Sequence, residues 1–313
     1  MDSNNLETGT HNSQFTIHNS EVVIIGAGPA GIATAIQLRR YNIEPVLLER
    51  EKIGGLLGNA NLVENYPGFP GGISGLELVE LFKKQLKNTG VKVNFENVME
   101  LEYEDGAFFT RTNKRAIKSN IIVIATGTKP RKNSGFSISD EIKDRVFYEI
   151  YPILGIKNKK IAVIGAGDAA FDYALNLCRK NEVTILNRRK QTKCIPVLRE
   201  RCKKSENISY LSNTKVIKIN NNGSKLLLTC TSNKSSEKIK IKIDYVIAAL
   251  GRDPRLDYLG CKIKKKLETL INANKLYMVG DVNNGIYRQT AICVGGGIKA
   301  AMEIYITIGS KCI

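Results

Sequence analysis

Short apolar runs and longer, helix-like segments alternate along this chain. An apolar run rich in β-branched residues at positions 22–25 leads into a helix-like stretch and then into a second apolar run that ends at Glu49. The same order of strand, helix and strand returns within residues 160–189. Strands that alternate with helices in this way predict an α/β fold built on parallel sheets.

The first junction of strand and helix has the glycine spacing of a dinucleotide-binding turn, Gly26-x-Gly28-x-x-Gly31. Gly26 permits the tight turn, Gly28 lets the backbone approach a pyrophosphate, and Gly31 allows the helix to pack closely on the strand. The helix N-terminus offers N–H groups and the positive end of its dipole to the phosphates. Glu49, at the end of the second strand, is suited to accept hydrogen bonds from ribose hydroxyls.

The second junction repeats the turn as Gly165-x-Gly167-x-x-Ala170, with alanine in the third place. Both turns are flanked in register by a strand, a helix and a second strand, which makes them more specific than an isolated glycine pattern. A chain with two such turns is suited to bind two dinucleotides.

The residue that ends the second strand differs in charge between the two units. It lies 23 positions after the first glycine in each unit, and in the second unit it is Arg188, followed by Arg189. Two guanidinium groups would bind a 2′-phosphate that a carboxylate would repel, and Lys190 and Lys193 extend the basic patch. The first site therefore looks suited to FAD and the second to NADPH. A solvated basic turn is the alternative interpretation.

Two similar segments frame the second unit and predict how the chain is divided. Residues 121–131 contain an apolar strand followed by Ala-Thr-Gly, and residues 244–255 contain the matching strand and the return. The predicted fold is α/β, with two Rossmann-like, three-layer dinucleotide-binding domains, the NADPH domain being inserted into the FAD domain. The predicted boundaries are 1–20 for a disordered tail, 21–128 and 251–313 for the FAD domain, and 129–250 for the NADPH domain.

Two further segments complete these domains. Residues 208–243 alternate β-branched and polar side chains around an Asn-Asn-Asn-Gly turn, which predicts a small group of strands. Near the C-terminus a strand leads to Gly280 and Asp281, whose carboxylate could hold a flavin ribityl or phosphate group. The last helix is expected to open near Thr290, where its N–H groups could face the ring edge that gains negative charge on reduction.

Charge is distributed unevenly. The net charge is +17, and residues 1–115 hold 11 Lys/Arg against 14 Asp/Glu, whereas residues 116–313 hold 36 against 16. This asymmetry favours an anionic ligand or partner for the later part of the chain. A lysine-rich background composition is the alternative, and no motif typical of nucleic-acid binding accompanies the basic residues.

The histidines, the cysteines and the apolar segments limit the functions that this chain can have. Both histidines, His11 and His18, fall in the predicted tail, so no histidine base or metal ligand is expected in the folded body. The seven cysteines show no Cys-x-x-Cys pair and no metal-binding spacing, which favours reduced thiols in a cytoplasmic protein. The tail lacks the apolar run of a secretory signal. The most apolar C-terminal stretch is interrupted by Lys299 and Glu303, so no membrane span is expected.

From residue 21 onward the sequence resembles the low-molecular-weight thioredoxin reductases, which have the FAD- and NAD(P)-dependent pyridine nucleotide-disulfide oxidoreductase fold. The resemblance is carried by GGLLGNANLVENYPGFPGGISG at 54–75, the two glycine turns, the paired arginines, and GDVNNGIYRQTA at 280–291. It implies FAD in the first domain, NADPH in the inserted domain, and a homodimer. The expected FAD site comprises Gly26, Gly28, Gly31, Glu49, Gly54, Gly55, Leu56, Asn65, Thr126, Gly127, Asp281, Arg288, Gln289 and Thr290, and the expected NADPH site comprises Gly165, Gly167, Ala170, Arg188, Arg189 and Lys193.

The sequence departs from this family at the redox disulfide. The family has Cys-x-x-Cys-Asp before the second glycine turn, and here Tyr148 and Tyr151 stand at the cysteine positions and Pro152 at the acidic one. A phenol cannot form a disulfide, so thiol–disulfide exchange through this pair is excluded. Either the tyrosines pack on one face, as their spacing allows, or they face the flavin and shield it or guide an acceptor.

These observations predict an NADPH-dependent FAD oxidoreductase that passes hydride from NADPH to FAD and on to an external acceptor, such as ferredoxin, flavodoxin, a quinone, oxygen or a small disulfide. No catalytic side chain is assigned, because the flavin supplies the chemistry. The basic inserted domain favours an acidic electron-carrier protein as partner. One alternative is a divergent disulfide reductase that uses Cys293, Cys194 or Cys202, and another is a non-catalytic flavin or nucleotide sensor.

Overall fold

The computed structural model describes residues 17–131, 135–136, 138, 140–232 and 235–309, and at 235–237 it describes the backbone alone. The strands are β1 (Ile17–Ile25), β2 (Val46–Glu49), β3 (Val93–Phe95), β4 (Val98–Glu104), β5 (Ala107–Thr112), β6 (Ala116–Ile124), β7 (Thr128–Pro130), β8 (Val146–Phe147), β9 (Lys160–Ile164), β10 (Glu182–Leu186), β11 (Ile208–Leu211), β12 (Thr214–Asn222), β13 (Lys225–Ser232), β14 (Ser235–Ile243), β15 (Tyr245–Ala248), β16 (Arg252–Pro254) and β17 (Leu276–Met278). The helices are α1 (Pro29–Arg40), α2 (Gly75–Asn88), α3 (Asp168–Leu177), α4 (Pro196–Lys203), α5 (Cys261–Lys265), α6 (Leu267–Asn272) and α7 (Thr290–Gly309). Short 3₁₀ turns lie at Gly55–Asn59, Asp140–Arg145, Tyr151–Ile153 and Gly280–Val282.

The first sheet has seven strands drawn from both ends of the described chain. Strands β3, β2, β1 and β6 are parallel and adjacent in that order, and β17 pairs with the end of β6. The β4–β5 hairpin adds antiparallel strands beside the start of β6. Val22 and Ile24 of β1 face one apolar core, whereas Val23 and Ile25 face another. The sheet is therefore covered on both faces, as is typical of parallel sheets.

The second sheet has five parallel strands in the order β11, β10, β9, β15 and β8. Ile161 and Val163 of β9 face a core shared with α3 and α4, and Ala162 and Ile164 face the antiparallel sheet β12–β13–β14. The hairpin predicted at Asn-Asn-Asn-Gly joins β12 to β13. The predicted α/β fold with two Rossmann-like, three-layer units is confirmed.

The two segments that connect these units run side by side. β7 pairs antiparallel with β16, so that Thr128 lies opposite Pro254 and Pro130 lies opposite Arg252. The boundaries predicted at residues 129 and 251 fall on or next to this pair.

β1 begins earlier than the sequence predicts. Residues 17–20, which were expected in the tail, pair in register with residues 116–119 of β6. The side chains of residues 17–19 are exposed, so this part of the strand is held by backbone pairing and leaves no apolar signal in the sequence. His18 therefore belongs to β1, and its assignment to the tail is wrong. The rest of the predicted tail, residues 1–16 with His11, lies outside the described residues.

α7 packs along α1. The hydroxyl of Thr34 donates a hydrogen bond to the carbonyl oxygen of Gly297 at 3.1 Å, and the rings of Tyr41 and Tyr305 stack with centroids 4.3 Å apart. A Cβ at Gly297 would collide with the carbonyl oxygen of Ala30, so glycine permits this close approach. Among the described residues, α7 is also the one helix whose length and apolar composition would suffice to cross a membrane.

Candidate functional site

The first glycine turn has the close approaches expected of it. Gly26 has φ of +108°, and a Cβ there would lie 2.5 Å from the carbonyl oxygen of Ala125. A Cβ on Gly31 would overlap the carbonyl oxygen of Gly26. By contrast, a Cβ on Gly28, the N-cap of α1, would meet no other described residue within 4 Å beyond its chain neighbours. The space at the start of α1 is thus open to a ligand, where N–H groups favour an anion.

The carboxylate of Glu49 anchors this turn from the end of β2. Its Oε2 accepts a hydrogen bond from the N–H of Ala27 at 2.8 Å, and its Oε1 accepts one from the N–H of Glu51 at 2.9 Å. A carboxylate has about four acceptor positions, so both contacts leave room for ribose hydroxyls. Gly54 and Gly55 follow with φ of +91° and +53°, and the N–H of Gly54 donates to Ala27 at 2.7 Å.

The loop after Gly55 reaches the C-terminal part of the chain. The side-chain amide of Asn65 donates a hydrogen bond to Oε1 of Gln289 at 2.8 Å. Leu56 is half-buried, and its carbonyl oxygen accepts from Asn59 Nδ2 at 3.2 Å. Residues from both parts of the expected FAD site are therefore brought together across the fold.

The segment before α7 lies against α1. A Cβ at Gly280 would come within 2.8 Å of the Cβ of Ala30, because the two backbones are so close. The Sγ of Cys293 donates a hydrogen bond to Oδ1 of Asp281 at 3.2 Å. α7 begins at Thr290, as predicted. The start of α7 and Asp281 thus share one region with the first glycine turn.

Three further expected residues lie where the chain crosses between the units. The Thr126 hydroxyl donates to the carbonyl oxygen of Arg255 at 2.8 Å, and the carbonyl oxygen of Gly127 accepts from the Arg255 N–H at 3.1 Å. Arg288 donates through Nη1 to the carbonyl oxygen of Arg252 at 3.3 Å, but its buried Nε has no hydrogen-bond partner among the described residues. An unpaired buried donor costs about 1–3 kcal/mol. The Nε of Arg288 therefore fits an acceptor supplied by a bound cofactor.

The second glycine turn repeats the first one closely. Gly165 has φ of +144°, and a Cβ there would overlap the carbonyl oxygen of Ala249. Gly167 is the N-cap of α3, and its Cβ position also meets no other described residue within 4 Å beyond its neighbours. Ala170 is buried, and its N–H donates to the carbonyl oxygen of Gly167 at 3.0 Å. The start of α3 is open in the same way as the start of α1.

The basic residues expected to select NADPH follow β10 and are exposed. The N–H of Arg189 donates to Oδ1 of the buried Asn187 at 3.0 Å, which orders the backbone between Arg188 and Arg189. The N–H of Lys193 donates to the carbonyl oxygen of Ala166 at 2.8 Å, so this segment lies beside the glycine turn. The role of Asn187 in ordering this turn was not identified from the sequence. The position of Asn187 just before the two arginines was the signal that could have indicated it.

Tyr148 and Tyr151 lie on a turn and not on one helix face. Tyr148 is half-buried, and Tyr151 opens a 3₁₀ turn with 44% of its surface exposed. One side of the Tyr151 ring lies 3.4 Å from the Cβ position of Gly58, and the Nζ of Lys52 is 3.4 Å from the ring centroid. The geometry is that of a cation–π contact, and burial lowers the pKa of Lys52.

Asn59 fixes the tyrosine turn onto the first unit. It is 2% exposed, and its Oδ1 accepts hydrogen bonds from the N–H of Ile150 at 3.1 Å and of Tyr151 at 2.9 Å. Neither Asn59 nor Lys52 was found from the sequence, although Asn59 lies within the segment 54–75 that carries the family resemblance. Tyr151 therefore contacts the loop expected to hold FAD.

The described cysteines form no disulfide with one another. Cys202 is buried and donates to the carbonyl oxygen of Phe171, and burial raises the pKa of its thiol to about 12. Burial and the adjacent Asp281 raise the pKa of Cys293, and burial raises that of the half-buried Cys194. Because the thiolate is the reactive form, these three cysteines are poorly suited to replace the redox pair.

Two dinucleotide turns on two three-layer units, one ending in a carboxylate and the other in paired arginines, define a flavin- and nicotinamide-dependent oxidoreductase. The chain belongs to the pyridine nucleotide-disulphide oxidoreductase family, whose model matches residues 20–297. It uses FAD and NADPH, as thioredoxin reductase-like members of this family do.

Thioredoxin reductases are among the proteins that this chain resembles. It is 27% identical over 304 residues to that of Borreliella burgdorferi, covering 91% of this chain and 90% of that protein. The structure of Lactococcus lactis thioredoxin reductase in the FR conformation is similar with a TM-score of 0.83 at 28% identity, over 93% of this chain and 99% of that one. The thioredoxin reductase of T. acidophilum gives a TM-score of 0.80 at 26% identity, over 92% and 98% of the two chains.

Proposed function

We propose that this protein is an NADPH-dependent FAD oxidoreductase that reduces an external acceptor without an internal disulfide. The observation that carries the proposal is Tyr151, which stands at the place of a redox cysteine and is held by Asn59 against the Gly55–Asn59 turn. Bound FAD would take a hydride from NADPH and release electrons to the acceptor. The chain itself has to bind, orient and shield.

The first unit supplies the groups that would hold FAD. The open space at Gly28 suits the pyrophosphate, and Glu49 suits a ribose. Asp281 suits the ribityl hydroxyls, and the unpartnered Nε of Arg288 suits an acceptor atom of the cofactor. The N-terminus of α7 at Thr290 would favour negative charge on the reduced ring.

The second unit supplies the groups that would hold NADPH. The space at Gly167 matches that at Gly28, so a second pyrophosphate fits at the start of α3. Arg188, Arg189 and Lys193 are exposed after β10, where they can bind a 2′-phosphate. The two residues that follow β10 are Asn187 and Arg188, so no carboxylate stands there to favour NADH.

Tyr151 would define the surface that the acceptor meets. Its ring is packed on Gly58 on one side and capped by Lys52 on another, yet 44% of the residue remains exposed. An acceptor arriving here meets a phenol ring and an ammonium group in place of a thiol. Such a surface fits a planar or anionic acceptor better than a protein disulfide, which would need a thiolate to attack it.

A panel of acceptors tests this function. Purified holoprotein with NADPH should reduce a carrier protein, a quinone, oxygen or a small disulfide, and it should leave thioredoxin oxidised. Loss of the flavin absorbance band on anaerobic mixing with NADPH would distinguish an oxidoreductase from a nucleotide sensor. Efficient thioredoxin reduction would instead favour a divergent disulfide reductase.

The homodimer implied by the family resemblance has a suitable surface on α7. The face turned away from α1 is apolar and exposed, with Ile292, Ile298, Met302 and Ile306. A second copy of this chain is the occupant proposed, because the family resemblance implies a homodimer and α7 belongs to the first unit, whose core it shares. In analytical ultracentrifugation, the double variant with Met302→Glu and Ile306→Lys should sediment as a monomer, whereas the wild-type protein should sediment as a dimer.

An acidic carrier protein could dock on the three-stranded sheet of the second unit. Exposed lysines on β12 and β14 lie opposite Leu227, Thr229 and Thr231 of β13. One face of this sheet therefore carries Lys215, Lys218, Lys238, Lys240 and Lys242. Such a face attracts an acidic protein and makes association depend on salt. A cytoplasmic location, without nucleic-acid or membrane partners, belongs to the same proposal.

A further inference from the structure

Residues 59–64 of the first unit are bound to the second unit through contacts between residues outside the expected FAD and NADPH sites. Besides the Asn59 contacts described above, Asn61 is bound twice. Its N–H donates to Oδ2 of Asp172 on α3 at 2.9 Å, and its Oδ1 accepts from Nη2 of Arg179 at 2.7 Å. Backbone and side chain are thus both fixed, which restricts rotation of one unit against the other.

Glu64 completes the set with an ion pair. Nη1 and Nη2 of Arg201, on α4, donate to the two carboxylate oxygens of Glu64 at 2.6 and 2.8 Å. This fork-to-fork geometry is directional as well as attractive, and the hydrogen bond from Arg201 lowers the pKa of Glu64. The side chains are 38% and 43% exposed, so both can be substituted without opening a core. We name Asn59, Asn61 and Glu64 with Asp172, Arg179 and Arg201 the interunit latch.

We propose that the interunit latch holds the second unit in the orientation from which NADPH delivers its hydride to FAD. This inference rests on the proposed function. Hydride transfer needs the nicotinamide to meet the flavin in one relative orientation of the units. Because Tyr148 and Tyr151 replace the redox cysteines, the second unit carries no further group at that turn that must also reach the flavin. A fixed orientation is therefore sufficient for this chain.

Charge reversal at Glu64 and Arg201 tests the latch. Glu64→Arg and Arg201→Glu each place like charges opposite one another, and the combined variant restores an attractive pair in reversed order. In the holoprotein without NADPH, each single variant should speed amide hydrogen exchange in residues 59–64 by about fivefold, the order expected from an exposed ion pair. The combined variant should return to within about twofold of the wild-type rate.

The same variants test the orientation. On anaerobic mixing with saturating NADPH, each single variant should reduce its flavin about fivefold more slowly, whereas the combined variant should recover. Binding of NADPH should stay unchanged, because the latch does not include the residues proposed to hold the nucleotide. The matched control is Lys203→Glu, which breaks the Lys203–Glu200 pair within α4 at 2.9 Å and should change neither readout.

The outcomes separate the latch from the function. Unchanged exchange in the single variants, or no recovery in the combined variant, would overturn the latch. Faster exchange with unchanged or faster flavin reduction would overturn the proposed orientation. If NADPH does not reduce the flavin of the wild-type protein, the proposed function fails, and with it the orientation, while the exchange measurement still decides whether residues 59–64 join the units.

Discussion

The side chain of Asn59 accepts a hydrogen bond from the backbone N–H of Tyr151 at 2.9 Å, although the two residues are 92 positions apart. This contact places Tyr151, which we propose stands at the position of a redox cysteine, on the loop expected to hold FAD. The phenol side chain of Tyr151 cannot take up electrons from reduced flavin as a disulfide does. Under the proposed function, the electrons therefore leave the protein through an external acceptor.

Replacing Asn59 with alanine should destabilise the fold. The substitution leaves the N–H groups of Ile150 and Tyr151 without their acceptor, and buried unpaired donors cost about 1–3 kcal/mol. Denaturant unfolding should show a loss of that size for Asn59→Ala. The exposed Asn97, whose side-chain amide donates to the sulfur of Met99, provides the control, and Asn97→Ala should change the free energy of unfolding little. Equal losses in both variants would contradict the assigned role.

Valine at Gly28 should weaken FAD binding strongly while leaving the apoprotein folded. Its Cβ would meet no other described residue within 4 Å beyond its chain neighbours, and its φ of −76° suits any side chain, so the bulk would enter only the proposed pyrophosphate space. We expect Gly28→Val to bind FAD at least about tenfold more weakly, measured by flavin fluorescence. Gly167→Val, which enters the equivalent space at α3, should keep FAD and lose NADPH. Normal FAD binding by Gly28→Val would place the cofactor elsewhere.

Selectivity for NADPH should depend on the two arginines after β10. In the variant with Arg188→Glu and Arg189→Ala, loss of two guanidiniums and gain of a carboxylate should weaken NADPH use by about tenfold or more and improve NADH use relative to it. Flavin reduction rates at several concentrations of each nucleotide measure this ratio. Arg199→Ala, an exposed arginine on α4, is the control for lost positive charge. An unchanged ratio would remove the second-site assignment.

Asp172 should make stability depend on pH. Burial raises its pKa to about 6 from 3.8, with Arg179 lowering the pKa and Asp168 raising it to smaller extents. The native state therefore binds the proton more tightly than the unfolded chain, so this stabilisation is fully present below about pH 4 and is lost as the pH rises through 6. Relative to Asp172→Asn, the wild-type free energy of unfolding should rise by about 1 kcal/mol between pH 7 and pH 5. If the free energies of unfolding of the wild-type protein and Asp172→Asn changed in parallel with pH, this role of Asp172 would be contradicted.

The sequence predicts the architecture because glycine turns and apolar strands are local signals. Gly26, Gly31 and Gly165 occupy the close approaches that their spacing implies. The start of β1 at Ile17 was missed because residues 17–19 expose their side chains, so the strand is held there by backbone pairing and has no buried apolar run. Asn59 was missed for a different reason. Its role depends on a segment 91 positions away, and no local pattern records such a contact.

Anaerobic titration of the holoprotein with NADPH tests the central claim most directly. A flavin alone accepts two electrons, so one equivalent of NADPH per FAD should bleach the flavin band completely and further additions should leave free NADPH in solution. A flavin coupled to an internal disulfide would consume two equivalents, because the disulfide takes up two more electrons. One equivalent is the predicted result, and two equivalents, or no bleaching at all, would contradict it.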